Sequence, residues 1–263
     1  MDNLPKGLAS SGAIKIAEKL KTISGGKILD VATQSGGFIR TLNKTLKDFN
    51  YFTGIDISFD NIESIRKDFK EEPVEFIEMN AESLEFEDNS FDTVSLAHSL
   101  HHLKNIDMVL NEMKRVLKPN GHFIIQESYC DGEQTSAQKA DILQHHWGSK
   151  IDNLLNIPHN FTFSKHEIID IFNNLDLKSF KTFESTHYVK CLFCKDKFDC
   201  DDPKNESVIK YSIKEIERDL NRLKNVKNYQ EVKKLKKEGE QIKDLIMKVG
   251  VTPASHLFFI GKK

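Results

Sequence analysis

The chain contains no apolar run of 18 residues, so none of its segments reads as a membrane-crossing helix. Cysteine is scarce, four in 263 residues with three of them between Cys191 and Cys200, which excludes a disulfide framework. The start, Met1-Asp2-Asn3-Leu4-Pro5-Lys6, lacks the basic-then-apolar layout of a secretory signal, and a cytoplasmic location is the expectation. An excess of either charge is also missing. Lys and Arg number 38 against 40 Asp and Glu, a net charge of −2 that exerts no global pull on nucleic acid. No internal repeat and no long Pro/Gly/Ser linker divides the sequence. At this length the chain can bury a substantial core, as one large α/β domain or as a domain with an inserted cap.

What the chain does have is alternation. Apolar strand-like runs at Lys27–Val31, Tyr51–Ile55, Val74–Glu78, Thr93–Ala97 and His122–Glu127 are separated by helical patterns at Phe38–Lys47, Asn61–Lys70 and Ile106–Leu117, with a further helix over Ser11–Leu20 leading in. Strands alternating with helices imply a parallel sheet covered on both faces. After Glu127 a polar turn leads to a helix through Trp147, the only tryptophan, and another from Ser164 to Phe172; Ser179–Val189 and His256–Gly261 read as the last strands.

The first strand runs through Lys27-Ile28-Leu29-Asp30-Val31 into Ala32-Thr33-Gln34-Ser35-Gly36-Gly37-Phe38. An apolar strand, a turn of small residues and a helix start let backbone N–H groups and a helix N-terminus approach a ligand closely. Two dozen residues on, Gly54-Ile55-Asp56-Ile57-Ser58 ends a second strand in an acid suited to ribose hydroxyls. Asp30, Asp56, Asn80, His98 and Glu127 all fall at or just past predicted strand ends, where ligands of open α/β sheets bind. As plain structure, the same acids terminate strands and cap helices.

Four blocks in order, Leu29–Phe38, Gly54–Ser58, Met79–Glu82 with Phe86–Asp92, and Val94–Glu127 with its Ser99-Leu100-His101-His102-Leu103 and Arg115–Ile125 segments, resemble the class I S-adenosylmethionine-dependent methyltransferases, in particular the quinone-biosynthesis C-methyltransferases. They cover about half the chain. Ala32 and Gln34 stand where that family usually has glycines, and Asn80 where it often has aspartate. The resemblance implies a Rossmann-like α/β fold of seven strands, mostly parallel with an antiparallel edge pair. It implies S-adenosylmethionine as donor and S-adenosylhomocysteine as product, and carries cofactor-binding roles onto Asp30, Ala32, Gly36, Asp56, Ile57, Asn80, Ala81 and His98. Asp56 would hold the ribose, Ile57, Asn80 and Ala81 would border the adenine, and the Ala32–Gly36 turn would border the methionine part.

Proton removal from an acceptor near neutrality suits histidine. His98 and His146 are the catalytic candidates; His101 and His102 read as packing or capping groups, and Asp141 stands one helical turn before His145, a spacing that could orient its ring. His187, Cys191, Cys194 and Cys200 offer zinc-ligand chemistry, but a continuing strand would point Cys191 and Cys194 to opposite faces, so no metal is expected.

Charge is uneven along the chain. Residues 1–190 carry a net −7 and residues 204–248 a net +5. In the late segment Ile209, Ile213, Ile216, Leu220 and Leu223 step by four and three, and Val232, Leu235, Ile242, Leu245 and Val249 continue the stripe, which predicts two amphipathic helices turning near Lys224–Asn228. The domain reading is therefore a catalytic domain over 1–190 and 250–263 with a helical insertion at 191–249, serving as lid, as homodimer contact or as nucleic-acid tract. The functional expectation is transfer of a methyl group to a small-molecule acceptor by in-line displacement, without membrane or nucleic-acid partner. An RNA methyltransferase using the basic segment, and a non-catalytic cofactor-binding regulator, are the alternatives.

Overall fold

A computed structural model describes residues 13–185 and 202–263. His187, Cys191, Cys194 and Cys200, with the zinc reading built on them, lie outside the described residues. Within the described residues the elements follow in the order α1 (Ala13–Leu20), β1 (Lys27–Val31), α2 (Gly37–Thr45), β2 (Tyr51–Asp56), α3 (Ile62–Asp68), β3 (Val74–Glu78), β4 (Phe91–Ala97), α4 (Ile106–Val116), β5 (Leu117–Ser128), α5 (Ser136–Leu154), α6 (Lys165–Asn173), β6 (Ser179–Ser185), α7 (Glu206–Arg222), α8 (Tyr229–Val249) and β7 (His256–Lys262). No described helix is long and apolar enough to cross a membrane.

The seven strands form one sheet in the order β3-β2-β1-β4-β5-β7-β6, parallel across β3 to β5. The last two strands form the antiparallel pair at one edge, as the sequence resemblance implied. Register aligns Asp30 with Gly54 on one side and with Ser95 on the other. Every residue of β1 after Lys27 is buried, the pattern of a strand covered on both faces. One core beneath the sheet gathers Leu20, Ile28, Ile39, Leu42, Phe52, Phe76, Ile124 and Phe258.

By packing, the chain divides into two compact units. One, the sheet unit, comprises residues 12–127, 168–184 and 257–263; the other, the helical unit, comprises the described residues of 128–167 and 185–256. The helical unit has its own core, in which Trp147 and Ile151 of α5 meet Ile216, Leu235, Ile242 and Ile246 of α7 and α8. Trp147 Nε1 donates to Leu235 O at 2.9 Å. Gly239 lies against the indole so closely that an added Cβ would meet the ring at 2.6 Å. The stripes read from the sequence are thus the buried faces of α7 and α8, and α5 supplies the opposing face. The sequence reading, which placed the boundary at 191, counted α5 with the sheet.

Local chemistry sets the helix starts. Thr135 and Gln138 make a reciprocal capping box on α5. Asn61, Asn205 and Asn228 accept from first-turn N–H groups of α3, α7 and α8. Each satisfies amide groups that a helix start would otherwise leave without partners.

Candidate functional site

The turn after β1 is built on three left-handed residues, Ala32 (φ 53°), Gln34 (φ 42°) and Gly36 (φ 74°). Only Gly36 adopts this conformation without steric cost. Thr33 N–H donates to Ile55 O at 2.9 Å and Gly36 N–H to Thr33 O at 2.8 Å, so the turn is stitched both to β2 and to itself. Gly54 lies beneath it, where an added Cβ would meet Thr33 Cγ2 at 2.9 Å. The Gln34 side chain is exposed.

Asp30 is the anchor under this turn. It is 1% exposed, and its two carboxylate oxygens accept from Thr33 Oγ1 and Ser95 Oγ, each at 2.6 Å. Burial pushes its pKa up to about 6 against the opposing pull of the Ser95 and Thr33 hydroxyls, and nearby Asp56 adds to the rise. Both of its oxygens already have protein donors, so this carboxylate ties β1, β4 and the turn together.

Asp56 ends β2 in a different environment. It is partly exposed, and Gln34 N–H donates to its Oδ2 at 3.0 Å. Burial raises its pKa, while the N–H groups of Gln34, Ser58 and Ile57 draw it down. Beside it, Ile57 is 73% exposed, a large apolar side chain held in solvent next to a half-open carboxylate. Asn80, just past β3, is exposed and accepts from Glu82 N–H at 2.9 Å, shaping the turn that carries Ala81.

His98 follows β4 in a left-handed conformation (φ 51°), its N–H donating to Gln126 O at 2.8 Å. Gln126 Nε2 lies 2.7 Å from His98 Nε2. The amide nitrogen donates, so the imidazole nitrogen accepts and the ring proton sits on Nδ1. The ring remains open to solvent at one side although protein crowds the rest. That crowding lowers its pKa, as does His101, against the raising effect of Glu127. Glu127 itself is fully buried. It accepts Leu100 N–H at 2.8 Å and contacts His101 Nδ1 at 3.0 Å, locking the short 3₁₀ turn Leu100–His102 to the end of β5. His101 thus serves as the packing group the sequence suggested.

Within the sheet unit the candidates therefore gather at the carboxyl ends of β1 to β4, Asp30 and Asp56 in the last residues of β1 and β2 and Ala32, Gly36, Ile57, Asn80, Ala81 and His98 on the connections that follow. This donor set fits an adenosyl ligand chemically: a partly open carboxylate for a diol, an exposed aliphatic face for a purine, and a left-handed turn that exposes Gln34, Ser35 and Gly37. His146 belongs to the helical unit, where its ring stacks on Phe161 (centroids 4.7 Å apart, 21° between planes). Asp141 does not orient His145 as its spacing suggested; it accepts Ala254 N–H at 3.0 Å, and burial pushes its pKa up to about 6. The carboxylate behind the histidines is instead Asp152, 2.6 Å from His159 Nδ1. Sequence reasoning missed both Asp152 and His159, which stand seven and fourteen positions after His145 with no motif to mark them.

Residues 29–125 match the methyltransferase domain family. Among curated relatives, the fatty-acid O-methyltransferase of Mycolicibacterium smegmatis is 32% identical over 106 residues, which are 40% of this chain and 38% of that protein. The ubiquinone/menaquinone biosynthesis C-methyltransferase UbiE of Hahella chejuensis is 32% identical over 108 residues, 40% and 43% of the two chains. The demethylmenaquinone methyltransferase of Bacteroides fragilis is 34% identical over 128 residues, 47% and 52%. The chain thus spans about half or less of the length of these relatives. In fold it is similar to a solved chain from Bacillus halodurans (TM-score 0.57, 13% identity, 95% of this chain and 98% of that one). It is also similar to the phosphoethanolamine N-methyltransferase 2 of Haemonchus contortus, solved with phosphomonomethylethanolamine and S-adenosylhomocysteine (TM-score 0.51, 17% identity, 98% and 55%).

Proposed function

We propose that this chain, whose residues 29–125 are a class I S-adenosylmethionine-dependent methyltransferase domain of the UbiE-like kind, transfers a methyl group to a small-molecule acceptor by in-line displacement. The observation that carries the reading is the pairing of Asp56 with the Gln34 N–H. It brings the carboxylate at the end of β2 and the left-handed turn after β1 to one place, each fixing the other. S-adenosylmethionine, when bound, supplies a methyl group already activated on a sulfonium, so the protein's work is binding and alignment.

In this reading Asp56 accepts from both ribose hydroxyls, with Ile57 against one face of the adenine and Asn80 and Ala81 at its rim. The backbone of Ala32–Gly36 borders the amino-acid end, and Asp30 acts indirectly by bracing that turn through Thr33. His98 contributes at the methyl-transfer end; its Nδ1 carries the ring proton while Gln126 holds Nε2. The small-molecule acceptor is supported by the relatives named for fatty-acid and quinone substrates. Several basic groups of the helical unit are already paired within it, Lys150 with Glu238, Arg222 with Asp152 and Lys243 with Glu217 and Glu240, which leaves fewer for a phosphate backbone.

Two measurements test this. Calorimetry should show S-adenosylhomocysteine binding to the native chain and a loss of about 2–4 kcal/mol in Asp56→Ala, from two charge-assisted hydrogen bonds. Unchanged affinity in the mutant would remove the ribose role. Incubation with methyl-tritiated donor and a cell extract, followed by size separation, should place the label in the low-mass fraction; label in polynucleotide would overturn the acceptor class.

A further inference from the structure

We propose that His145 and His159 of the helical unit form a binding site for a divalent transition-metal ion. The two side chains come from different stretches of the chain. His145 lies on α5, and His159 lies on the loop that follows, folded back onto the same helix face that carries Ser149, Asp152 and Asn153, four, seven and eight positions on. Asn153 Nδ2 holds this loop by donating to His159 O at 2.6 Å and bridges to Ser149 O at 2.8 Å. The imidazoles meet edge to face, with centroids 4.7 Å apart.

The contact joins the two Nε2 atoms, 3.1 Å apart. Two imidazole nitrogens on one metal, each about 2.1 Å from it and subtending 90–109°, stand about 3.0–3.4 Å apart, so the pair already has the spacing of adjacent ligands. Behind it, His159 Nδ1 lies 2.6 Å from Asp152 Oδ2, and the other oxygen of Asp152 accepts from the Arg222 guanidinium. A carboxylate on the distal nitrogen fixes the ring's tautomer and directs a lone pair outward from Nε2, as it does behind metal-bound histidines elsewhere.

Proton balance is simple. With the proton of His159 on Nδ1, its Nε2 accepts from His145 Nε2–H. Metal entry requires His145 to move that proton to its own Nδ1, so each ring then offers a lone pair and no proton leaves a neutral pair. Two nitrogen ligands leave further positions for water or an oxygen-bearing molecule. Imidazole favours zinc, cobalt, nickel or copper over magnesium or calcium. The site is independent of the cofactor reading, since it rests on the helical unit alone.

The experiment uses the whole chain with Cys191, Cys194 and Cys200 changed to serine, so that thiolates do not compete. Cobalt(II) titration followed by visible absorption should give one equivalent bound with the bands of nitrogen and oxygen ligation, and zinc should displace it. His159→Ala and His145→Gln should each abolish uptake, while Asp152→Asn should weaken it about 10–100-fold with unchanged circular dichroism. Cobalt uptake that survives either histidine change, uptake present only in the chain with its cysteines intact, or no uptake above that of the double histidine variant would each overturn the proposal.

Discussion

The sheet unit and the helical unit place their polar groups by opposite means. In the sheet unit, chemistry follows the chain. Each strand delivers a residue at its carboxyl end, and hydrogen bonds along the neighbouring strands fix it: Asp30 to Ser95, Asp56 to the Gln34 amide, Glu127 to the Leu100 amide. In the helical unit the linked groups Arg222, Asp152, His159 and His145 come from two helices and a loop, 70 residues separating the ends of the Arg222–Asp152 link. The parallel sheet is a frame that presents strand ends in a fixed order, so a motif at each end is enough to specify a site. A helical core has no such frame, and its polar groups meet only because apolar stripes dock.

If the units are separate in packing, damage to one core should spare the other. Trp147→Ala removes the largest buried side chain of the helical unit together with its bond to Leu235 O, and a loss of about 3–5 kcal/mol is expected. Far-ultraviolet circular dichroism should then resolve two melting steps, with S-adenosylhomocysteine raising only the later one. A single step, or loss of cofactor binding, would break the comparison.

Each unit also holds a carboxylate whose pKa desolvation pushes up to about 6, the buried Asp30 in the sheet and the partly buried Asp141 in the helices. The folded value is raised above the unfolded one, so the stabilising contribution is present below about pH 4 and is lost as pH rises through 6. For a rise from 3.8 to about 6 the change approaches 3 kcal/mol. His122, whose pKa burial and the charges of Lys262 and Lys19 depress to about 4, works in the other direction, its contribution being lost as pH falls. Denaturant titrations of Asp30→Asn should show the pH 4–6 slope shifted by the Asp30 share while the Asp141 share persists. An unchanged slope would mean that Asp30 ionises normally.

The smallest effect tests the turn. Gln34 holds a left-handed conformation that glycine adopts freely, so Gln34→Gly should stabilise the chain by about 1 kcal/mol or less after the added unfolded-state entropy. Because the side chain is exposed, cofactor affinity should change by no more than about tenfold. Complete loss of binding would show that the glutamine itself is a contact.

Residues 27–127 were legible as alternating strands and helices because their periodicities alternate cleanly and their acids sit where apolar runs stop; the strand ends that matter follow from that, whereas the order β3-β2-β1-β4-β5 across the sheet came from the structure. The stripes of α7 and α8 were legible too, as faces awaiting a partner. That the partner is α5, that Asp141 caps the amide of Ala254, and that His145 meets His159 in front of Asp152 were decided by tertiary structure. The physical reason is range. Backbone hydrogen bonding and side-chain period act over a few residues and leave their trace in the sequence, whereas the docking of one apolar face on another depends on shape summed over many distant side chains.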